Sequence, residues 1–225
     1  MTEIRVTKDG PYHVTGPLPL AKATIGANRE GESVSWDWGA EYPGQRQYWL
    51  CRCGHSSTKP FCDGTHAKVG FDGTETASRK PYRKQAKRIE GPVLTLTDAE
   101  SLCAFARFCD PNGKVWRLVK ETNEARARDD FLRQTCDCPS GHLVAWDNAT
   151  GEPIEPDLPP SIGLVEDPVE RCSGLLWVRG GVQVIAEDGY AYERRNRVTL
   201  CRCGASQNKP FCDGTHVTIE FRDGL

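Results

Sequence analysis

The chain has no run of roughly 18 apolar residues, so no helix of it is expected to span a bilayer. Met1 to Pro11 is polar and charged and lacks the apolar stretch of an export signal, so a reducing cytoplasm is the expected setting. No phosphate-cradling glycine loop, no dinucleotide fingerprint and no nucleophile with a local base is present. These absences argue against a self-contained enzyme and leave open a subunit of an oxidoreductase. A formal net charge of −2 supplies no field for nucleic acid or a membrane surface.

What the chain does have is cysteine, eleven in 225 residues. In a reducing compartment that number points to metal or redox chemistry rather than to a disulfide framework, and the odd count agrees. Hydrophobic residues make up 38% and charged residues 27%, a thin core of the kind that bound metal often staples.

The chain also repeats itself. Cys51-Arg-Cys-Gly-His-Ser-Ser-Thr-Lys-Pro-Phe-Cys-Asp-Gly-Thr-His66 returns as Cys201-Arg-Cys-Gly-Ala-Ser-Gln-Asn-Lys-Pro-Phe-Cys-Asp-Gly-Thr-His216. Tyr48 to Leu50 and Val198 to Leu200 read as strands entering the motifs, and Tyr12 to Gly16 resembles Leu176 to Gly180. Val69 to Phe71 and Ile219 to Phe221 are expected as returning strands. Cys51 and Cys53 are close enough to reach one metal centre, Gly54 and Pro60 let the loop fold back, and His66 lies one helical turn beyond Cys62. The same holds for Cys201, Cys203, Cys212 and His216. Three thiolates and an imidazole are also a structural zinc set, so spacing alone leaves zinc and an iron–sulfur cluster both open.

The residues between the ligands resemble the CDGSH, or NEET, iron–sulfur family, with signature C-x-C-x2-(S/T)-x3-P-x-C-D-G-(S/A/T)-H. Ser56, Pro60, Cys62, Asp63, Gly64, Thr65 and His66 fill it once, and Ser206, Pro210, Cys212, Asp213, Gly214, Thr215 and His216 fill it again. The resemblance implies a [2Fe–2S] cluster with Cys51 and Cys53 on the inner iron and Cys62 and His66 on the outer one, and a second on Cys201, Cys203, Cys212 and His216. It also implies two halves packed as an internal pseudo-dimer within a monomer. A neutral imidazole in place of a thiolate is expected to raise the potential and to make the outer iron sensitive to acid.

Between the halves the texture changes. Asp98 to Cys109 reads as a helix capped by Thr97 or Asp98, Val115 to Val119 as a short strand, Glu124 to Thr135 as a helix and His142 to Trp146 as a strand. Cys103, Cys109 and Cys138, the last followed by Pro139, fit the bacterial ferredoxin pattern with Ala106 in place of the second cysteine. The segment resembles a divergent mono-cluster ferredoxin domain. It would hold [3Fe–4S], or [4Fe–4S] if Cys136 supplies a fourth ligand, provided the helix ends near Cys103, since an unbroken helix would splay the sulfurs. The competing readings are buried structural cysteines and zinc.

The expected fold is α+β: a first β-rich CDGSH module over 1–78, a basic linker over 79–89, a ferredoxin-like α+β insert over 90–150, a Pro-rich linker over 151–168 and a second CDGSH module over 169–225. Six basic residues between Arg79 and Arg88 suit a solvated linker better than a docking site for an acidic redox partner. His55, His13 and His142 are expected to be ordinary polar residues and Cys172 structural, while Trp36 and Trp38 are expected to cover the first cluster. The expected function is electron transfer with a separate reductase or oxidoreductase. Its rivals are a cluster carrier or redox and pH sensor delivering to an acceptor, and a zinc-stabilised interaction module.

Overall fold

The computed structural model describes residues 2–224, and its strands form three sheets. Strands β1 (Glu3–Val6) and β2 (Tyr12–Thr15) form an antiparallel hairpin in which Ile4, Val6, Tyr12 and Val14 face the core with a period of two. The long strands β3 (Leu20–Ala27) and β4 (Ser33–Glu41) make a second hairpin, and β5 (Gln47–Leu50) returns to pair with β2. The first motif then leads into the short helix α1 (Thr65–Lys68), followed by α2 (Tyr82–Gln85).

The third sheet belongs to the middle of the chain: β6 (Lys87–Glu90), β7 (Leu94–Asp98), β8 (Leu143–Asp147) and β9 (Pro153–Ile154) in that order. Helices α3 (Val115–Leu118) and α4 (Ala125–Asp137) pack on it through Leu96, Val115, Leu118, Val119, Phe131 and Leu143. The second half follows with β10 (Ser161–Asp167), β11 (Cys172–Arg179), β12 (Gln183–Ile185), β13 (Arg197–Leu200) and α5 (Thr215–Thr218).

The two outer sheets share one plan. The trio β5-β2-β1 corresponds to β13-β11-β10, and each trio extends by a parallel pairing with a strand of the other half, β1 with β12 and β10 with β3. Both halves feed a common core, in which Ile4, Tyr12 and Leu50 lie with Ile162, Leu176 and Leu200. The molecule is therefore β-rich α+β with few helices.

Several expectations are corrected. The helix over Asp98 to Cys109 does not form: Thr97 and Asp98 end β7, a single 3₁₀ turn runs from Glu100 to Leu102, and Cys103 is extended. Pairing of β7 with β8 outweighs the capping signal of Thr97 and Asp98. Val115 to Val119 is helical, not a strand; its buried residues Val115, Leu118 and Val119 follow the i, i+3, i+4 helical spacing. The extended linker expected over 151–168 includes β10, whose buried Ile162, Leu164 and Val165 override the prolines before it. Likewise α2 and β6 occupy much of the expected basic linker. Val69 to Phe71 and Ile219 to Phe221 form no strands; instead the Phe71 and Phe221 amides donate to the His66 and His216 carbonyls at 3.0 and 2.9 Å, closing the short helices.

Candidate metal centres

Each terminal motif is a loop folded back on the strand that enters it. The Cys51 amide donates to the Pro60 carbonyl at 2.8 Å and the Cys62 amide to the Trp49 carbonyl at 2.9 Å, which sets Cys62 beside Cys51; Cys201 and Cys212 repeat this with Pro210 and Thr199. The aspartate of each Cys-Asp-Gly staples the loop. Asp63 accepts from the Ser57 amide and hydroxyl and from the Thr65 amide, and Asp213 accepts from the Gln207 and Thr215 amides. The glycine after it takes the left-handed backbone that starts the helix, at φ 84° for Gly64 and 86° for Gly214. Ser56 and Ser206 donate to the Phe61 and Phe211 carbonyls, bracing the turn from inside.

This scaffold brings all eight expected donors into two matching sets. Cys51 Sγ lies 3.7 Å from Cys53 Sγ, and Cys62 Sγ lies 3.3 Å from Nδ1 of His66; the second motif has the same two distances. Two thiolates on one tetrahedral metal at about 2.3 Å each would stand about 3.8 Å apart, so the Cys-x-Cys pairs are spaced for a shared metal atom. Among the described residues no three His, Cys, Asp or Glu side chains converge on a single-ion site. Donors arranged as two pairs suit a group with two metal atoms. Backbone amides also point at the sulfurs, His55 to Cys53 and Gly64 to Cys62, each at 3.4 Å. The hydrogen bond from Cys53 brings the Cys51 thiol down to about 6 despite burial, and the Cys203 bond brings Cys201 down to about 7. Within each pair the first cysteine is thus the one drawn towards the thiolate, while its partner is raised.

The two sets differ in their surroundings. His66 and Cys62 are partly exposed, whereas His216 and Cys212 are buried, and burial together with the Arg202 charge pushes His216 down to about 4. Arg202 is matched by Glu166 and Asp223 at 2.6 Å each, while Arg52 donates to the Gly73 carbonyl and, among the described residues, keeps Nε and Nη1 buried without a hydrogen-bond partner. The motifs touch back to back: a Cβ on Gly54 would stand 2.6 Å from the Cys203 carbonyl oxygen, and one on Gly204 would stand 2.6 Å from that of Cys53.

The middle segment forms a third site. Cys103, Cys109 and Cys138 line one cavity with Phe105, Arg107 and His142, enclosing about 20 Å³ within a bowl of about 280 Å³ measured to its open mouth. Phe105 and Arg107 both take left-handed backbone, φ 58° and 61°, unusual for such side chains and a mark of a loop held for a purpose. Arg107 is clamped by Asp167 at 2.6 and 3.1 Å and by Glu170 at 3.1 Å, and Gln134 donates to the Cys109 carbonyl at 3.1 Å. Burial raises the Cys138 thiol, but His142, Arg197 and Ser140 bring it down to about 6. Three thiols around one cavity, one of them drawn towards the thiolate, suit an iron–sulfur cluster.

Cys136 does not line this cavity and lies instead on α4 beside Thr135, so the structure separates it from the other three cysteines. His142, expected to be an ordinary polar residue, is buried in the site with Nδ1 3.0 Å from Asp98 Oδ1, and Asp98 Oδ2 accepts from Trp116 at 2.8 Å. One signal in the sequence marks it: Cys138-x3-His142 repeats the offset of Cys62 and His66. Trp36 and Trp38 do not lie over the first motif; Trp36 stacks on Phe108 and packs at a tilt against Trp177 in the cluster that contains Cys212, and Trp38 stacks on Trp177. His55 is exposed and Cys172 is buried on β11.

The middle cavity abuts the second motif. Phe105 lies against Gly214, where an added Cβ would meet that of Phe105 at 2.9 Å, the Asn208 amide group donates to the Ser101 carbonyl at 2.8 Å, and the Cys103 charge acts on Cys212.

Comparison with known families agrees with this division. The profile described as Iron-binding zinc finger CDGSH type matches residues 9–67 and 173–217, and that described as Divergent 4Fe-4S mono-cluster matches residues 89–148. No curated protein and no solved structure is similar enough to the chain to match it. No helix among the described residues is long and apolar enough to cross a membrane. The chain belongs to the tandem CDGSH iron–sulfur proteins, its two CDGSH segments flanking a divergent 4Fe–4S mono-cluster domain.

Proposed function

We propose that this is a multi-cluster electron-transfer protein of the cytoplasm, a monomer whose CDGSH halves pack as an internal pseudo-dimer around a ferredoxin-like insert. Cys51, Cys53, Cys62 and His66 hold one [2Fe–2S] cluster and Cys201, Cys203, Cys212 and His216 another, while Cys103, Cys109 and Cys138 hold a third of cubane type. What such groups supply when bound is one-electron chemistry. The observation that carries the reading is the contiguity of the three donor sets: Gly54 and Gly204 bring the terminal motifs together, and Phe105 on Gly214 joins the second to the middle site. The reciprocal pairings β1 with β12 and β10 with β3 support the pseudo-dimer. A redox partner protein would exchange electrons at an exposed end of this series.

The test is iron and acid-labile sulfide analysis of protein expressed with iron available, followed by electron paramagnetic resonance during a redox titration. Two [2Fe–2S] signals, a third of different type and magnetic interaction between them are expected. Colourless protein carrying zinc and no sulfide overturns the reading in favour of a zinc-stabilised interaction module. A cluster-carrier role has its own supporting observation, the partial exposure of Cys62 and His66. Transfer of one cluster to an apo-ferredoxin, with the other clusters retained, would identify it.

A further inference from the structure

Three cysteines leave a cubane cluster one ligand short, and the residue expected to fill the gap from sequence, Cys136, lies off the cavity. Another donor stands there instead. His142 lines the same cavity, is buried, and interacts with the thiols of both Cys103 and Cys138. Its Nδ1 is committed to Asp98 Oδ1 at 3.0 Å. A carboxylate accepts, so Nδ1 carries a proton, and Nε2 is the nitrogen left for the sulfur side, where binding a metal releases any proton it holds. Asp98 is itself fixed, its second oxygen accepting from the Trp116 indole at 2.8 Å and its backbone locked in β7 against Leu143 of β8. A carboxylate that orients an imidazole through one nitrogen while the other faces a metal is a recurrent arrangement around metal-binding histidines.

Given the reading that the middle segment holds a cluster, we propose that Nε2 of His142 is its fourth protein ligand. Cys103, Cys109, Cys138 and His142 then form a complete set for [4Fe–4S], with Asp98 as the positioning residue for the ring. The Ser140 hydroxyl also lies near, 3.6 Å from Cys138 Sγ, but it already accepts from the His142 amide at 3.3 Å. All three sites of the chain would then use a Cys-x3-His pair, with the opposite ring nitrogen in the middle site, since Nδ1 faces the cysteine in the terminal ones.

The experiment uses the full chain in a His66→Cys, His216→Cys background, so that nitrogen coupling to a cluster can come from one source. Iron is counted, and the reduced protein is measured by pulsed electron paramagnetic resonance with and without ¹⁵N-histidine. About eight iron atoms per chain are expected, with a nitrogen coupling that changes on labelling. His142→Ala added to this background should remove about one iron, convert the middle cluster to [3Fe–4S] and abolish the coupling, while His142→Cys should keep the iron and lose the coupling. A middle cluster that is present without histidine coupling, or that remains [4Fe–4S] in His142→Ala, overturns the ligand assignment alone. Protein holding only the iron of the terminal sites overturns the reading beneath it as well.

Discussion

Gly54 packs so closely on the Cys203 carbonyl that a Cβ there would lie 2.6 Å from the oxygen, and its φ of 78° lies where only glycine sits without strain. Gly204 repeats the contact on Cys53 at φ 83°. Alanine at either place carries both the left-handed penalty and an overlap, together about 2–4 kcal/mol. Because each glycine belongs to one motif and presses on the other, Gly54→Ala should lower the melting temperature and loosen both terminal clusters. Loss confined to the mutated motif, followed by visible absorbance, would show that the contact does not couple them.

The terminal clusters should differ in acid resistance. His66 is partly exposed, whereas His216 is buried and its ring is held down to about 4 by burial and by Arg202. A histidine with a depressed folded pKa contributes stability that is intact above about 6.5 and lost progressively as pH falls towards 4, because the unfolded chain takes the proton first. For the metal-free protein His216 should account for about 3 kcal/mol of lost stability over that range. In the loaded protein, absorbance decay at mild acid is expected in two phases, the faster one slowed by His66→Cys and the slower one altered by His216→Cys. A single phase insensitive to His66→Cys would refute the ordering.

Reduction potentials should split for a reason outside the ligands. Among the described residues Arg52 makes no ion pair and Asp72 feels its charge from further off, while Arg202 is paired with Glu166 and Asp223. A positive charge held without an ion pair favours the reduced cluster; at an effective dielectric constant near 20, a unit charge about 10 Å away is worth on the order of tens of millivolts for one electron. Arg52→Gln should therefore lower the potential of the first cluster by tens of millivolts and leave the second in place, as read by a redox titration. Equal shifts in both would point to a change of fold.

Arg107 ties the strained loop over Cys103 to Cys109 onto Asp167 at the end of β10 and Glu170 in the turn after it. Arg107→Ala leaves Asp167 buried and unpaired, a cost of about 3 kcal/mol. The middle cluster should be lost preferentially, and the second terminal cluster, no longer covered by Phe105, should become more sensitive to acid. Iron content and the slow phase of the acid decay measure the two effects separately.

The terminal sites were legible in the sequence because everything that builds them is local. Cys51, Cys53, Cys62 and His66 lie within sixteen residues, and Asp63, Ser56 and Gly64 brace the loop from inside it. The middle site was only half legible. Cys103, Cys109 and Cys138 were readable from spacing, but Thr97 and Asp98 look like a helix cap until β7 is paired with β8, a contact across more than forty residues. The same pairing places Asp98 on His142, so the partner that gives His142 its orientation could not be found by local reading. Nor does any short-range pattern announce that β3 and β12 pair with the opposite half, since the parallel partners of a strand leave no trace in its own alternation.

That exchange of strands has a consequence for how the protein behaves in dilute solution. An assembly of two separate chains holds its sites together only above its dissociation constant, and its symmetry obliges both sites to be alike. Here β1 with β12 and β10 with β3 are joined within one polypeptide, so the pairing is intramolecular and insensitive to concentration. The covalent link also frees the two sites from equivalence: one is buried, with Phe105 against its Gly214, while its twin keeps Cys62 and His66 partly exposed. A single copy of the chain can thus carry a retained site and an accessible one in fixed one-to-one ratio.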